Sequence, residues 1–398
     1  MGIMSNEKRL DAVLERFYNR YNKFNTKVLE TLGETIKQFD GLTPSQAHKL
    51  AQELKYSTNI DELLNELSRL SGKSVQELDE LFDRVAEENV GFAEEYYKIK
   101  GKDFIPYEEN EQLRRYVETV KKETYGTFKN LSKSRNIGFT YKQDDKVIFK
   151  PFKKAYRELI DEAVYKVSTG VSDYQSAMRN TIKQLADSGI KVHEETTTYK
   201  SGYNRRIDSS VRQNVLEGIR RINIGVQEEV GKEFGADGVE VSFHTPCAED
   251  HWFINGQQYS KKEFEKINSD LDRPVGTLNC RHFVFSIVLG VNQPEYSKEY
   301  IRKMRQQSKE KIEYDGNKYT PYEASQIQRK METTIRQQKD RQIIARSSGD
   351  KQEIANAQQK ISQLTSKYKD FSDKAGLDVY KSRLYVSQYH RVNVKKLK

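Results

Sequence analysis

A chain of 398 residues is long enough for two or three domains and a sizeable core. Only 35% of it is hydrophobic and 32% is charged, with a mean hydropathy of -0.88, which suits helices with wide solvated faces better than one compact globule. Two cysteines exclude a disulfide framework, and no run approaches the roughly 18 apolar residues that a membrane-spanning helix needs. The opening MGIMSNEKRL lacks the apolar run of a signal peptide, and Asn6 stands where myristoylation of Gly2 would want Ser or Thr. The chain is therefore expected to be made in the cytoplasm, without a cleaved signal or a membrane anchor. The net charge of +9 is uneven. Residues 1–100 carry 14 Lys and Arg against 18 Asp and Glu, a net of −4, and residues 291–398 carry 24 against 13, a net of +11. Such a basic end points to nucleic acid or an acidic protein surface, or else to a solvated helical face rich in lysine.

Residues 6–39 read as one long helix, because Leu10, Val13, Leu14, Phe17, Tyr21 and Phe24 recur at steps of three and four. LTPSQAHKL restarts a helix, with Thr43 as cap and Pro44 in the first turn. The stretch from Ser57 to Tyr97 is predicted as two helices broken at Ser71-Gly72, the second opened by a capping box of Ser74 and Glu77. The helical pattern continues through residues 101–137. GFTYKQDDKVIFKPF then reads as a β-hairpin turning at QDD. Two helices follow, the second ending at Gly189. TTTYKSGYNRRI suggests a hairpin turning at Ser201-Gly202, and the next long helix has Asp208 or Ser209 as cap. VEVSFH and FVFSIVLG are short apolar strands, with KKEFEKINSDLDRPVGTL between them read as a loop. After Pro294 the chain is polar and helical, broken near Asp315-Gly316 and Ser347-Gly349. Its apolar stripe is thin, so these helices should pack on each other or on a partner. The basic tail RVNVKKLK is expected to fray. The expected class is α+β, mainly α: a helical N-terminal region (1–137), a small mixed core with short strands (138–293) and a long basic helical C-terminal region (294–398).

The chemistry-bearing side chains are concentrated. Both cysteines, Cys247 and Cys280, and three of the six histidines, His244, His251 and His282, fall within residues 244–282. Three readings are open. A tetrahedral zinc could take His251, Cys280 and His282 with His244 or Cys247, since Cys280 and His282 alternate along a strand, although the Cys-x-x-Cys knuckle of many zinc sites is missing. Cys280 or Cys247 with His251 could be a nucleophile and base, oriented by Asp250 or Asn279. The preferred reading is that the histidines and Asn279 hydrogen-bond backbone turns and knot two strands together, with no catalytic residue and no cofactor. No phosphate-binding or dinucleotide loop and no zinc-protease helix is present. Farther on, Tyr314, Tyr319 and Tyr322 stand beside Lys318, Arg329 and Lys330. Stacking with charge is how nonspecific single-strand binders work, but tyrosines near helix starts are more often packing anchors.

Five stretches together resemble the minor capsid proteins of tailed bacteriophages, the head-morphogenesis group related to the Mu F-like proteins. They are DYQSAMRNTIKQLADSGI, RRIDSSVRQNVLEG, the Cys/His stretch, YDGNKYTPYEASQIQRKMETTIRQQK and YKDFSDKAGL, in order along residues 173–376. In the third, His244, His251, Gly256, Tyr259 and Ser260, followed by Asn279, Cys280, Arg281 and His282, match the group's pattern, while Cys247 and Ala248 replace its Ala and Arg. The resemblance implies a structural protein of the virion, present in several copies in the head near the portal. Its implied partners are the portal protein, the major capsid protein and packaged double-stranded DNA. Two rivals are a Cys/His-dependent hydrolase or toxin-like enzyme delivered with the phage, and a morphogenesis factor absent from the finished particle.

Overall fold

The computed structural model describes residues 7–43, 45–46, 49–50, 56–131, 136–143, 146–168, 174–194, 203–277 and 280–397. Helices dominate and short antiparallel strands punctuate them, as the α+β, mainly α class requires. Among the described residues no helix is long and apolar enough to cross a membrane.

Helix α1 (Glu7–Lys37) buries the predicted stripe from Leu10 to Phe24. Helix α2 (Tyr56–Ile99) is one uninterrupted helix of 44 residues, so the expected break at Ser71-Gly72 is absent. The reason is packing. Leu67, Ser71, Ser74, Leu78 and Leu81 keep the three-and-four step and are all buried, while Gly72 faces solvent. Ser74 is a small core residue within the helix rather than the start of a second one. Thr43 does bond Gln46 in the manner of a cap, and Pro44 lies outside the described residues. Residues 101–106 are not helical, contrary to the pattern: Gly101 at φ +62° ends α2, a single turn occupies Tyr107–Glu109, and α3 runs Glu111–Leu131.

Strands β1 (Ile137–Gln143) and β2 (Lys146–Pro151) form the predicted hairpin, with Tyr141 opposite Ile148. Helices α4 (Phe152–Ser168) and α5 (Tyr174–Ser188) follow, and Gly189 at φ +58° closes α5 as expected. Strands β3 (Lys191–Glu194) and β4 (Tyr203–Arg206) pair antiparallel, completing a sheet of order β2-β1-β3-β4; their turn at Ser201-Gly202 lies outside the described residues. Helix α6 (Ile207–Phe234) starts before both residues expected to cap it. Asp208 sits in its first turn, accepting a bond from the Ser209 N–H at 2.7 Å.

The second sheet, of order β6-β5-β7, consists of β5 (Gly238–Val241), β6 (Gln258–Ser260) and β7 (Val284–Ile287). Helix α7 (Lys261–Ser269) occupies the stretch read as a loop. Ser260 and Glu263 form a capping box there, which supplies the start that its weak apolar pattern does not advertise. Beyond Pro294 come α8 (Lys298–Gln307), a hairpin of β8 (Ile312–Tyr314) and β9 (Asn317–Tyr319), α9 (Pro321–Ser348) and α10 (Lys351–Lys374). The two predicted breaks are there: Asp315 and Gly316 turn the hairpin at φ 50° and 74°, and Gly349 separates α9 from α10 at φ 82°. The tail is held further than expected, because Gln358 of α10 accepts bonds from the Tyr389 hydroxyl and the Val392 N–H.

Contacts divide the chain into two compact units, neither a single stretch. The first comprises Met1–Leu14, Ser74–Thr127 and Arg212–Ile327, with the sheet β6-β5-β7; the second comprises Glu15–Lys73, Phe128–Val211 and Gln328–Lys398, with the four-stranded sheet. The three regions of distinct sequence character are consecutive, whereas these units interleave.

Candidate functional site

The Cys/His stretch lies wholly in the first unit, and its position follows from how β7 is held. β7 is an edge strand, and its outer N–H groups would be costly to leave unpaired. Side chains of α6 take them: Val284 N–H donates to Asn223 Oδ1 at 3.1 Å and Ser286 N–H to Gln227 Oε1 at 3.0 Å. Gly231 allows this close approach, since a Cβ there would stand 2.4 Å from Ser286 Oγ. With β7 fixed, residues 280–283 lead into it as irregular chain and not as the strand that alternation suggested.

His282, 1% exposed, is the centre of the cluster. Its Nδ1 lies 3.4 Å from Cys280 Sγ, and its Nε2 lies 3.1 Å from Asn255 Oδ1 and 4.0 Å from Cys247 Sγ. Cys280 Sγ is also 3.7 Å from His251 Nδ1. The other nitrogen of His251 donates to the Arg273 carbonyl at 2.7 Å, and Arg273 pairs with Asp250 at 2.8 Å. The His244 ring packs 4.2 Å from that of His282. Two sets of side chains are close enough to share one ion: His251, Cys280 and His282, and His244, Cys247 and His282.

Electrostatics separates the two cysteines. Burial pushes the Cys280 thiol up, but hydrogen bonds from His251 and His282 outweigh it and bring its pKa down to about 5. Burial pushes Cys247 far up, and the nearby Cys280 adds to it, so that thiol stays protonated. Burial takes His282 down to about 4 and His244, with help from Arg281 and Arg220, to about 3. His251 is also disfavoured by burial, but its bonds to Cys280 and the Arg273 carbonyl raise it above the ordinary value. Arg220 of α6 is wholly buried; desolvation lowers its pKa to about 10, and the Cys280 charge opposes the shift.

Gly256 turns the chain at φ +69°, and the Tyr259 hydroxyl donates to the Phe253 carbonyl at 2.6 Å. Arg281 pairs with Asp11 at 3.1 Å, and Asn279 lies outside the described residues. Tyr322 bonds Arg273 and, with Cys247, Asp250 and Trp252, lines a cavity of about 530 Å³ that neither Cys280 nor His251 reaches. Tyr319 and Tyr322 belong to the first unit, while Arg329 and Lys330, both exposed, belong to the second. Sequence reasoning missed Asn255 and Arg273. Asn255 is fully buried, accepts from the His244 N–H and donates to the His244 carbonyl, each at 2.9 Å, and fixes His282 as well. Its only signal in the sequence is a place one residue before Gly256, in the Asn-Gly pair of a turn.

The geometry can knot loops together or hold a cation; of the cysteine–histidine pair, His251 is buried and Cys280 half-buried. The family described as phage minor capsid protein 2 matches residues 6–373, a span that contains this whole cluster. No curated protein and no solved structure matches the chain. The match covers nearly the entire chain, so the protein belongs to the phage minor capsid protein 2 family, a structural component of the virion.

Proposed function

We propose that the protein works by binding and not by catalysis: several copies join the portal or the major capsid protein during head assembly, near the portal vertex. The observation that supports this reading is the extent of the match, residues 6–373, to a family of phage minor capsid proteins. The basic balance of residues 291–398, 24 Lys and Arg against 13 Asp and Glu, with Arg329 and Lys330 exposed, supports contact with packaged DNA through phosphates. Quantitative mass spectrometry of purified virions tests the proposal. A small, fixed number of copies relative to portal protein is expected. Absence from particles, with presence in assembling heads, would replace it by a transient morphogenesis factor.

One observation favours a second reading. Cys280, with its pKa brought to about 5 and His251 Nδ1 at 3.7 Å, has the charge state of a reactive thiol. Cys280→Ser decides between them. Binding predicts defects in folding or assembly; catalysis predicts normal particles that carry an inactive protein.

A further inference from the structure

Count the protons around Cys280. The Asn255 amide is oriented by two backbone bonds, because its Oδ1 accepts from the His244 N–H and its Nδ2 donates to the His244 carbonyl. Oδ1 is therefore the atom facing His282 Nε2 at 3.1 Å, and that nitrogen must carry a proton. The Arg273 carbonyl, 2.7 Å from His251 Nε2, imposes the same on His251. Both Nδ1 atoms are then left facing Cys280 Sγ, at 3.7 and 3.4 Å. With two neutral imidazoles and one thiol, a single proton serves two contacts, and one nitrogen lone pair points at sulfur with nothing between. Satisfying both contacts with protons alone needs a second proton, which places an imidazolium beside Arg220 at residues only 4% and 1% exposed. A divalent cation at the same total charge accepts all three lone pairs at once.

From this geometry we infer a zinc site formed by His251 Nδ1, Cys280 Sγ and His282 Nδ1, with solvent as the fourth ligand. Zinc bonds of about 2.3 Å to sulfur and about 2.05 Å to nitrogen give a tetrahedral sulfur–nitrogen edge of about 3.5 Å, and the contacts of 3.4 and 3.7 Å bracket it. Asn255 and the Arg273 carbonyl supply the outer hydrogen bonds that hold metal-bound histidines in one tautomer. The alternative set of His244, Cys247 and His282 is the weaker one, because Cys247 meets His282 at Nε2, the nitrogen that Asn255 already engages. The ion would join the turn at His251 to the chain entering β7, whichever head protein the molecule binds.

The full-length protein, incubated with zinc chloride and desalted, provides the test by elemental analysis, with cobalt(II) as a spectroscopic probe. One zinc per chain is expected, retained by Cys247→Ser, lost in Cys280→Ser and His282→Gln, and bound about ten-fold more weakly in Asn255→Ala. Cobalt should give a near-ultraviolet thiolate charge-transfer band. A zinc content no higher than the buffer blank, or one unchanged in Cys280→Ser and His282→Gln, overturns the assignment. If those variants fail to fold, the cobalt spectrum of the unaltered protein decides: the thiolate band supports the site and its absence removes it.

Discussion

Each unit of this protein buries a polar cluster, and the two are built on different principles. In the first unit the knot around His282 uses soft groups close together in sequence, with Asn255 and the Arg273 carbonyl fixing the Nε2 protons of His282 and His251. In the second, Arg206 lies between two carboxylates, with Nη1 2.9 Å from Asp340 and Nη2 3.4 Å from Asp208, and all three are buried. Burial works against the Arg206 charge, but the two carboxylates raise its pKa. The carboxylates themselves part company. Burial pushes both up, yet Arg206 outweighs it at Asp208, whose pKa falls, and not at Asp340, whose pKa rises. Arg206, helped by Arg336, does not fully compensate two buried anions, so the acid left short is the one that resists ionisation. The knot therefore owes its order to directed bonds, and the triad owes its order to unscreened charge.

The most severe test of that contrast removes the cation. Arg206→Met leaves two carboxylates buried together and should cost about 3–5 kcal/mol in denaturant-induced unfolding; a loss below about 1 kcal/mol would mean that the carboxylates simply take up protons. Asn255→Ala is the matching experiment in the knot. It strands the His244 N–H and carbonyl and the His282 Nε2–H, and should cost about 2–3 kcal/mol. An equal or greater loss than in Arg206→Met would erase the distinction.

Burial beside the triad also makes a prediction in pH. Burial, helped by Arg206, lowers the pKa of Lys191 to about 8. Between that value and about 10.4 the unfolded chain holds a proton that the folded chain has released, so stability attributable to this group rises with pH across the window. Below pH 8 the penalty is complete. Lys191→Met should therefore stabilise the protein by about 1–2 kcal/mol at pH 7 and progressively less toward pH 10; a gain independent of pH would point to packing instead. The smallest effect belongs to exposed charge. Replacing Arg329 and Lys330 together by Gln should change stability by less than about 0.5 kcal/mol. The same pair should lower the salt dependence of DNA binding by about two phosphate contacts, measured as the slope of log affinity against log salt. An unchanged slope would remove those two residues from the DNA surface.

The two clusters also differ in how far they could be read beforehand. The knot announced itself because cysteine and histidine are rare here and five of them fall within residues 244–282. Its organising residue did not, since Asn255 is a common type whose role appears only when the chain folds back onto His244. The triad gave no signal at all: Arg206 and Asp340 are 134 positions apart, and nothing in either neighbourhood distinguishes them from surface charges. Helices followed the same logic. The regular stripe of α1 was legible, while the continuity of α2 through Gly72 depended on Ser71 and Ser74 serving as core residues, which their polarity concealed. Helix α7 was missed because its start is set by a capping box and it buries none of its residues.

Cross-linking mass spectrometry of intact particles tests the proposed binding role at the portal vertex. Cross-links from this protein to the portal protein or to the capsid subunits around it are expected, with lysines of residues 291–398 also cross-linking to DNA. A protein cross-linked uniformly to capsid subunits over the whole shell, or to no head protein, would contradict it.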